Sequence, residues 1–234
     1  MLDPLIASPA ALPPLQSGDR LSRPEFERRY TLSPNVKKAE LVEGVVYVAS
    51  PLRHEQHGKP HSRIMTWLGV YQALTAGTDV SDAPTVRLDF DNEPQPDAVL
   101  FIQGGQVRLS QDGYLEGAPE LVVEIAASSA AIDLGSKKQV YRRNGVLEYL
   151  VWQVYENQID WFSLEDGEYV LLQPDGMGIV QSLVFPGLWL AVNELRSGQM
   201  VVVLEGLQAG VRSPEHRAFV RSLQSRSINV PDGT

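Results

Sequence analysis

Two acidic residues stand inside apolar segments of this chain, where an unpaired charge would be costly. Asp97 lies in the segment PDAVLFI (residues 96–102), and Glu124 lies in LVVEIA (residues 121–126). An ionised carboxylate in such surroundings needs a cationic partner or a bound cation. A divalent cation shared by both acids would satisfy them, because Mg²⁺ takes oxygen ligands and keeps several of its waters. The alternative is that each acid pairs with an arginine or caps a turn.

A lysine follows the second acid in a segment with helical character. Asp133, Lys137 and Tyr141 are spaced by four residues, so a helix would place them on one face. A lysine beside a metal-bound water can stabilise a hydroxide or the negative charge that develops at phosphorus. The alternative for Lys137 is a solvated charge paired with Asp133. Lys138 and Arg142 make the same helix basic, which suits either phosphate contacts or a solvated face.

A histidine-rich segment at residues 54–61 is a further candidate for chemistry. His57 and His61 are four residues apart, a spacing that zinc pairs on helices use. The sequence HEQH is one residue short of the HExxH motif, and the chain has no cysteine to complete a zinc site. A histidine that contacts phosphate near a cleft is the other interpretation. His54 is expected to be an ordinary surface histidine.

The elements that must position these residues follow from apolar periodicity and from turn residues. The segment 36–44 is compatible with either a helix or a strand. Helices are predicted at residues 22–30, 60–76, 132–144 and 213–223. Strands are predicted at residues 45–48, 85–90, 96–102, 120–126 and 147–154, with a hairpin at 158–172 and an apolar closing segment at 185–190. This order predicts an α/β fold with a mixed sheet flanked by helices.

The composition excludes several classes of protein. The chain has 234 residues, no cysteine and a formal net charge of −9. It therefore has no disulfide, thiolate zinc site or catalytic thiol, and it does not coat nucleic acid through bulk positive charge. The N-terminus does not resemble a signal peptide, and no apolar run is long enough to span a membrane. We expect a soluble, cytoplasmic protein.

The residues around the two acids resemble a known pattern. Pro96-Asp97 and Glu124-Ile125-Ala126 resemble the PD-(D/E)XK nuclease signature. Longer blocks resemble the Uma-type restriction endonucleases, a branch of that superfamily; they lie at residues 40–44, 57–68, 95–100, 119–126 and 133–150. The resemblance implies a restriction-endonuclease-like fold, a central mixed β-sheet flanked by helices with a C-terminal β-hairpin extension. It implies a nuclease domain at residues 21–195, between an irregular lead-in (1–20) and a helical tail (196–234).

The resemblance also implies an activity, the hydrolysis of phosphodiester bonds in DNA with Mg²⁺ or Mn²⁺. Asp97 and Glu124 then stand at the metal-ligand positions, and Glu40 matches an acid that the superfamily often contributes from its first core helix. The signature lysine would stand at Ala126, so the resemblance points to Lys137 from the following helix instead.

His57, Lys138 and Arg142 become candidates for contacts with the substrate. We expect carboxylate oxygens of Asp97 and Glu124 to lie about 3–5 Å apart, close enough for one cation to bridge them. Two rival hypotheses are a non-catalytic binding or assembly protein on the same fold and a zinc hydrolase that uses the histidine segment. We expect a homodimer, with the apolar segment at residues 181–190 and the hairpin as its interface.

Overall fold

The structure is a computed structural model that describes residues 13–228 of the chain. Its N-terminal elements form a small layer in which a helix packs on a β-hairpin. These elements are α1 (Arg23–Thr31), β1 (Ala39–Val42) and β2 (Val45–Val48). Glu43 and Gly44 have positive φ angles of 53° and 70°, the two-residue turn that suits the twist of a hairpin. The segment 36–44 therefore contains a strand and no helix.

The central part of the chain combines helices and strands. A π-helical turn at His54–Gly58 continues directly into α2 (Lys59–Leu74). The strands that follow are β3 (Thr78–Asp82), β4 (Val86–Arg87), β5 (Ala98–Ile102), β6 (Arg108–Leu109), β7 (Leu115–Glu116) and β8 (Leu121–Ala126). A helical segment then joins α3 (Ala130–Ile132), a second π-helical turn (Asp133–Lys137) and α4 (Lys138–Arg143).

The C-terminal part adds strands first and helices last. The strands are β9 (Glu148–Gln153), β10 (Gln158–Glu165), β11 (Glu168–Leu171), β12 (Ile179–Gln181) and β13 (Trp189–Ala191). The helices are α5 (Val192–Ser197), α6 (Met200–Val211) and α7 (Pro214–Ile228). Between residues 13 and 228, no helix has both the length and the apolar character needed to cross a membrane.

Six strands form one mixed sheet in the order β11-β10-β9-β8-β5-β3. Strands β8 and β9 run parallel, and the other neighbours run antiparallel. The helical segment between β8 and β9 is the crossover that a parallel pair requires. The hairpin of β10 and β11 extends one edge of the sheet. These features confirm the predicted central mixed sheet with its hairpin.

Both faces of the sheet are covered, which explains the nearly continuous apolar strands. On one face, Leu121 and Val123 of β8 pack in a core that also contains residues of α2 and α6. On the other face, Val122 and Ala126 pack in a core with Tyr141 of α4. The two cores give β8 its fully buried pattern, and Glu124 is part of that strand.

Several predictions about elements need correction. Of the strand predicted at residues 85–90, only β4 forms, because Asp89 bridges back to Asn92 in a turn. The strand β3 was not predicted, since its sequence TDVSD is too polar to stand out. The predicted lead-in is described only for residues 13–20, and residues 1–12 lie outside the described chain.

Candidate active site

Asp97 and Glu124 lie on the same side of the central sheet. Side chains alternate along a strand, so Glu124 shares a face with its neighbours Val122 and Ala126, which pack towards α4. Asp97 directly precedes β5 and by the same alternation shares a face with Val99, which belongs to that core as well. The amide of Ile125 donates a hydrogen bond of 2.7 Å to Asp97 Oδ2, so the two acid positions are joined directly.

Glu124 is held by a lysine and a tyrosine from the crossover helix. Lys137 Nζ donates to Glu124 Oε1 at 2.9 Å, and the Tyr141 hydroxyl donates to the same oxygen at 2.8 Å. Both donors lie on one helix face, as their spacing predicts. Lys137 Nζ also lies 2.8 Å from Glu40 Oε1 and 3.7 Å from Asp133 Oδ1. The ammonium group therefore stands among three carboxylates.

Asp97 has a different set of partners. His57 Nε2 lies 3.0 Å from Asp97 Oδ1, and Lys38 Nζ lies 3.8 Å from the same oxygen. His61 Nε2 lies 2.9 Å from the carbonyl oxygen of Asp97. The turn at His54–Gly58 thus places the His57 imidazole beside the Asp97 carboxylate, and the first turns of α2 place His61 beside its backbone. Within the described part of the chain, neither Asp97 nor Glu124 pairs with an arginine.

Glu40 comes from a different element than expected. The resemblance implied an acid on the first core helix, but Glu40 lies on β1. Its Oε1 accepts a 2.6 Å hydrogen bond from the amide of Gln95, in addition to its contact with Lys137. The hairpin turn at Glu43 and Gly44 keeps β1 extended. Because side chains alternate between the two faces of a strand, the Glu40 side chain points to the site.

A cavity of about 690 Å³ contains these groups. Among its lining residues are Glu40, His57, Asp97, Glu124 and Lys137. The side chains of Asp97 and Glu124 are 8% and 4% exposed, so they form the floor of the cavity. Five of the residues singled out from the sequence therefore lie around one cavity.

The electrostatics of the floor are dominated by burial and by carboxylates close to one another. Burial raises the pKa of Glu124 well above its usual range, and the charges of Asp133, Asp97 and Glu40 add to this effect against that of Lys137. Burial alone would lower the pKa of Lys137, but the three carboxylates raise it well above its usual range. Lys137 is therefore a cation at neutral pH, held among three acidic side chains.

The pKa of Asp97 moves in the opposite direction. Burial alone would raise it, but His57, Lys38 and the amide of Ile125 together hold it below its usual range. Asp97 is therefore ionised in the folded protein, while Glu124 holds a proton more readily. The two acids differ because Asp97 has its own donors, whereas Glu124 shares Lys137 with other acids.

Comparison with known families decides the identity of the fold. The profile of the Uma2 family, described as "Putative restriction endonuclease", matches residues 23–193. The chain belongs to the Uma2 family. A search among curated proteins found no match.

Two solved structures are similar to this Uma2 chain. One is described as a "putative nuclease belonging to DUF820" from Anabaena variabilis, with a TM-score of 0.55 and 14% identity over 73% of this chain and 96% of that one. The other is the type IIG restriction endonuclease BpuSI, with a TM-score of 0.37 and 15% identity over 70% of this chain and 18% of that one. The first similarity supports a restriction-endonuclease-like fold.

The donors on the floor fit a hard divalent cation by their chemistry. Glu40, Asp97 and Glu124 offer carboxylate oxygens, the ligand type that Mg²⁺ and Mn²⁺ prefer. Burial and the neighbouring carboxylates both raise the pKa of Glu124, and a bound cation would oppose both effects. Across residues 13–228, no three histidine or acidic side chains are already clustered tightly enough to hold a metal ion. The carboxylates of Glu40, Glu124 and Asp133 converge on Lys137 instead.

Two predicted substrate contacts lie away from the cavity. Lys138 Nζ lies 3.4 Å from the centre of the Phe162 ring. Arg142 donates to Glu168 at 2.9 Å and to the carbonyl of Gly167. Neither is among the residues that line the cavity, because the helix turns their side chains towards β10 and β11.

Besides Lys137, two cationic side chains of the described residues line the cavity, and sequence reasoning missed both. Lys38 and Arg53 are both among its lining residues. Lys38 stands two positions before Glu40, so alternation along an extended segment would have placed both on one side. Arg53 is the residue before the π-helical turn that carries His57, and no local pattern marks it.

Proposed function

We propose that this Uma2 chain is a metal-dependent endonuclease that hydrolyses phosphodiester bonds in DNA. The observation that carries the proposal is the convergence of two core acids, a supporting acid and a buried lysine on the floor of one cavity. The family assignment supports nuclease chemistry, since the profile is that of a restriction endonuclease. The cavity lined by Asp79, Phe101 and Tyr114 contains no such set.

Asp97 and Glu124 would hold Mg²⁺ or Mn²⁺, with Glu40 in support. When bound, such a cation polarises a phosphate oxygen and lowers the pKa of a water molecule. Asp97 is suited to a ligand role because its partners keep it ionised. The hydroxyl of Tyr141 and the ammonium of Lys137 fix the orientation of Glu124 through its Oε1.

Lys137 supplies the positive charge that the signature lysine would supply from position 126. Its ammonium group lies within 2.9 Å of both Glu40 and Glu124, so it is fixed beside two of the acids that would hold the cation and its waters. There it orients the water and stabilises the negative charge that develops at phosphorus. His57, which lies beside Asp97 and lines the cavity, would contact a phosphate oxygen of the substrate.

A second candidate function is a binding or assembly protein on the nuclease fold. It is favoured by the way Lys137 already neutralises part of the carboxylate cluster, and by Ala126 at the signature position. The zinc hydrolase hypothesis has less support, because the Nε2 atoms of His57 and His61 lie against Asp97, one at the carboxylate and one at the backbone carbonyl.

Calorimetric titration separates the first two functions. Mn²⁺ or Mg²⁺ is titrated into the wild type and into the Asp97→Ala/Glu124→Ala variant, and cleavage of plasmid DNA is followed with the same samples. We expect saturable binding and cleavage only in the wild type. A matched control is Glu165→Ala/Glu205→Ala, which removes two exposed acids away from the cavity.

Equal weak heats in the wild type and the cavity variant, without cleavage, would favour the binding protein. A zinc requirement abolished by substitution of His57 and His61 would favour the third hypothesis. Circular dichroism of each variant checks that a loss of binding is not a loss of folding. The isosteric variant Asp97→Asn repeats the test with a smaller change in packing.

A further inference from the structure

The depth of the floor restricts the form of nucleic acid that can reach it. The side chains of Glu40, Asp97, Glu124 and Lys137 are at most 15% exposed. A phosphate must therefore enter the cavity of about 690 Å³, a size typical of pockets that enclose small molecules. A flexible single strand can follow such a recess more closely than a duplex, which is stiff and costs free energy to bend.

The rim of this cavity carries apolar and aromatic side chains that face solvent. Tyr155 is 61% exposed and Leu52 is 65% exposed, and both are among the lining residues. Tyr155 lies in the turn between β9 and β10, where the amide of Val154 donates to the carbonyl of Ala126 at 3.0 Å. This bond fixes the turn to the end of the strand that carries Glu124. A base stacked on Tyr155 would thus lie at a fixed position above the floor.

A cation without a partner stands on the same rim. Within residues 13–228 the guanidinium of Arg53 has no carboxylate at ion-pair distance, and its side chain is exposed. The carbonyl of Arg53 accepts hydrogen bonds from the amides of His57 and Gly58. Arg53 is therefore attached to the turn that places His57 beside Asp97. An arginine in this position suits a phosphate next to the one on the floor.

We propose that the substrate is single-stranded DNA, bound with one base stacked on Tyr155 and an adjacent phosphate at Arg53. This inference rests on the proposed nuclease function for its biological meaning, but binding tests it separately. Stacking on an aromatic side chain is available to unpaired bases, since the faces of paired bases are covered by their neighbours. The limited number of cations at the rim implies few phosphate contacts and a shallow dependence on salt.

Fluorescence anisotropy with a labelled oligonucleotide tests the proposal, with Ca²⁺ in place of Mg²⁺. We expect the single strand to bind about tenfold more tightly than a duplex of the same length and sequence. Tyr155→Ala should weaken single-strand binding about tenfold, whereas Tyr155→Phe should retain it. Arg53→Ala should reduce the slope of log K against log salt by about 0.7, the value for one phosphate contact on a single strand.

The matched control for Arg53 is Arg108→Ala, which removes an exposed arginine on β6 that does not line the cavity. It should leave affinity and salt slope unchanged. Duplex binding as tight as single-strand binding, or an unchanged affinity of Tyr155→Ala, overturns the proposal. Cleavage of each oligonucleotide in Mg²⁺ is measured alongside.

The two measurements separate the two proposals. Tyr155-dependent binding of the single strand without cleavage rejects the nuclease function and supports only the binding of single-stranded DNA at Tyr155. Cleavage of duplex DNA with binding that does not depend on Tyr155 rejects this inference and supports the nuclease function. The absence of binding to either oligonucleotide overturns both.

Discussion

Lys137 is the residue on which the ionisation of the cavity floor depends. It is 5% exposed and contacts carboxylates of Glu40, Glu124 and Asp133. A buried cation among acids stabilises the fold only because those acids are already there, and its removal leaves their charges uncompensated. Its structural role and its proposed catalytic role therefore rest on the same contacts.

We predict that Lys137→Met destabilises the protein by about 3–5 kcal/mol at neutral pH, because buried carboxylates lose their counter-ion. The difference in unfolding free energy between the variant and the wild type should become smaller as the pH falls. Glu124, whose folded pKa is already raised, becomes neutral on protonation and no longer needs a cation. Urea denaturation at several pH values measures both effects.

The control for this substitution is Lys59→Met. Lys59 is 44% exposed and pairs with the exposed Glu55 at 3.2 Å. Because such surface pairs contribute little, the free energy of unfolding should change by less than about 0.5 kcal/mol. A Lys137→Met deficit that equals the control, or that does not vary with pH, would contradict the account of the floor.

At the scale of elements, two π-helical turns border the cavity. The turn at His54–Gly58 carries His57. The turn at Asp133–Lys137 begins with Asp133 and ends with Lys137, and both of these side chains line the cavity. A π-helical turn shifts the register of the side chains that follow it, and such turns are frequent at functional sites. These turns direct His57 and Lys137 to the cavity, and helical spacing alone does not predict their exact orientation.

Helix α6 is held against the closing segment by a close approach of two glycines. A Cβ atom on Gly210 would meet the carbonyl oxygen of Gly187 and lie 2.9 Å from ring atoms of Trp189. Gly187 itself has a φ angle of 86°, which other residues rarely adopt. The helix can approach the segment this closely only without a side chain at position 210.

We predict that Gly210→Ala destabilises the protein by about 1–3 kcal/mol, the usual cost of an overpacked contact. Gly206→Ala in the same helix is the matched control, because the nearest atom to its new Cβ lies 4.0 Å away. That substitution should stabilise the protein by about 0.5–1 kcal/mol through helix propensity. Thermal unfolding of both variants checks the prediction; equal shifts of Tm would rule it out.

At the scale of the whole molecule, Glu148 links the central sheet to the loop that closes one face. This buried acid at the start of β9 accepts hydrogen bonds from the Ser182 hydroxyl at 2.8 Å and from the amide of Leu183 at 2.7 Å. Burial raises its pKa from 4.5 to about 7, although these hydrogen bonds oppose the shift. The attachment of the loop is therefore sensitive to pH.

Because the folded pKa of Glu148 is raised, its contribution to stability is complete below about pH 4.5 and is lost as the pH rises to about 7. The loss is on the order of 3 kcal/mol for a shift of this size. We predict that Glu148→Gln, which retains the shape and can still accept the hydrogen bond from the amide of Leu183 through Oε1, has a flatter profile of unfolding free energy between these pH values. Urea midpoints at each pH measure the profiles; parallel curves would refute the assignment to Glu148.

The C-terminal helix α6 packs against the central sheet. Val203 and Leu207 of α6 lie in the same core as Leu121 of β8. The helical tail proposed for residues 196–234 thus begins with a helix that packs on the nuclease fold. The domain boundary at residue 195 remains a proposal, and the homodimer does as well.

The sequence by itself determined the class of the fold and the two central acids of the candidate site. Apolar strands and helical spacing are local patterns, and a carboxylate inside such a strand stands out because burying it is costly. The same logic identified Lys137, since spacing by four places it with Asp133 and Tyr141. The family resemblance added Glu40 and His57, both of which line the cavity.

Only the tertiary structure decided which cations face that cavity. Lys138 and Arg142 share a helix with Lys137 but lie against Phe162 and Glu168, whereas Lys38 and Arg53 arrive from distant segments. It also placed Glu40 on a strand and gathered three carboxylates around one ammonium group. Local sequence cannot specify such arrangements, because they depend on how separate elements pack together and on the direction each side chain then takes.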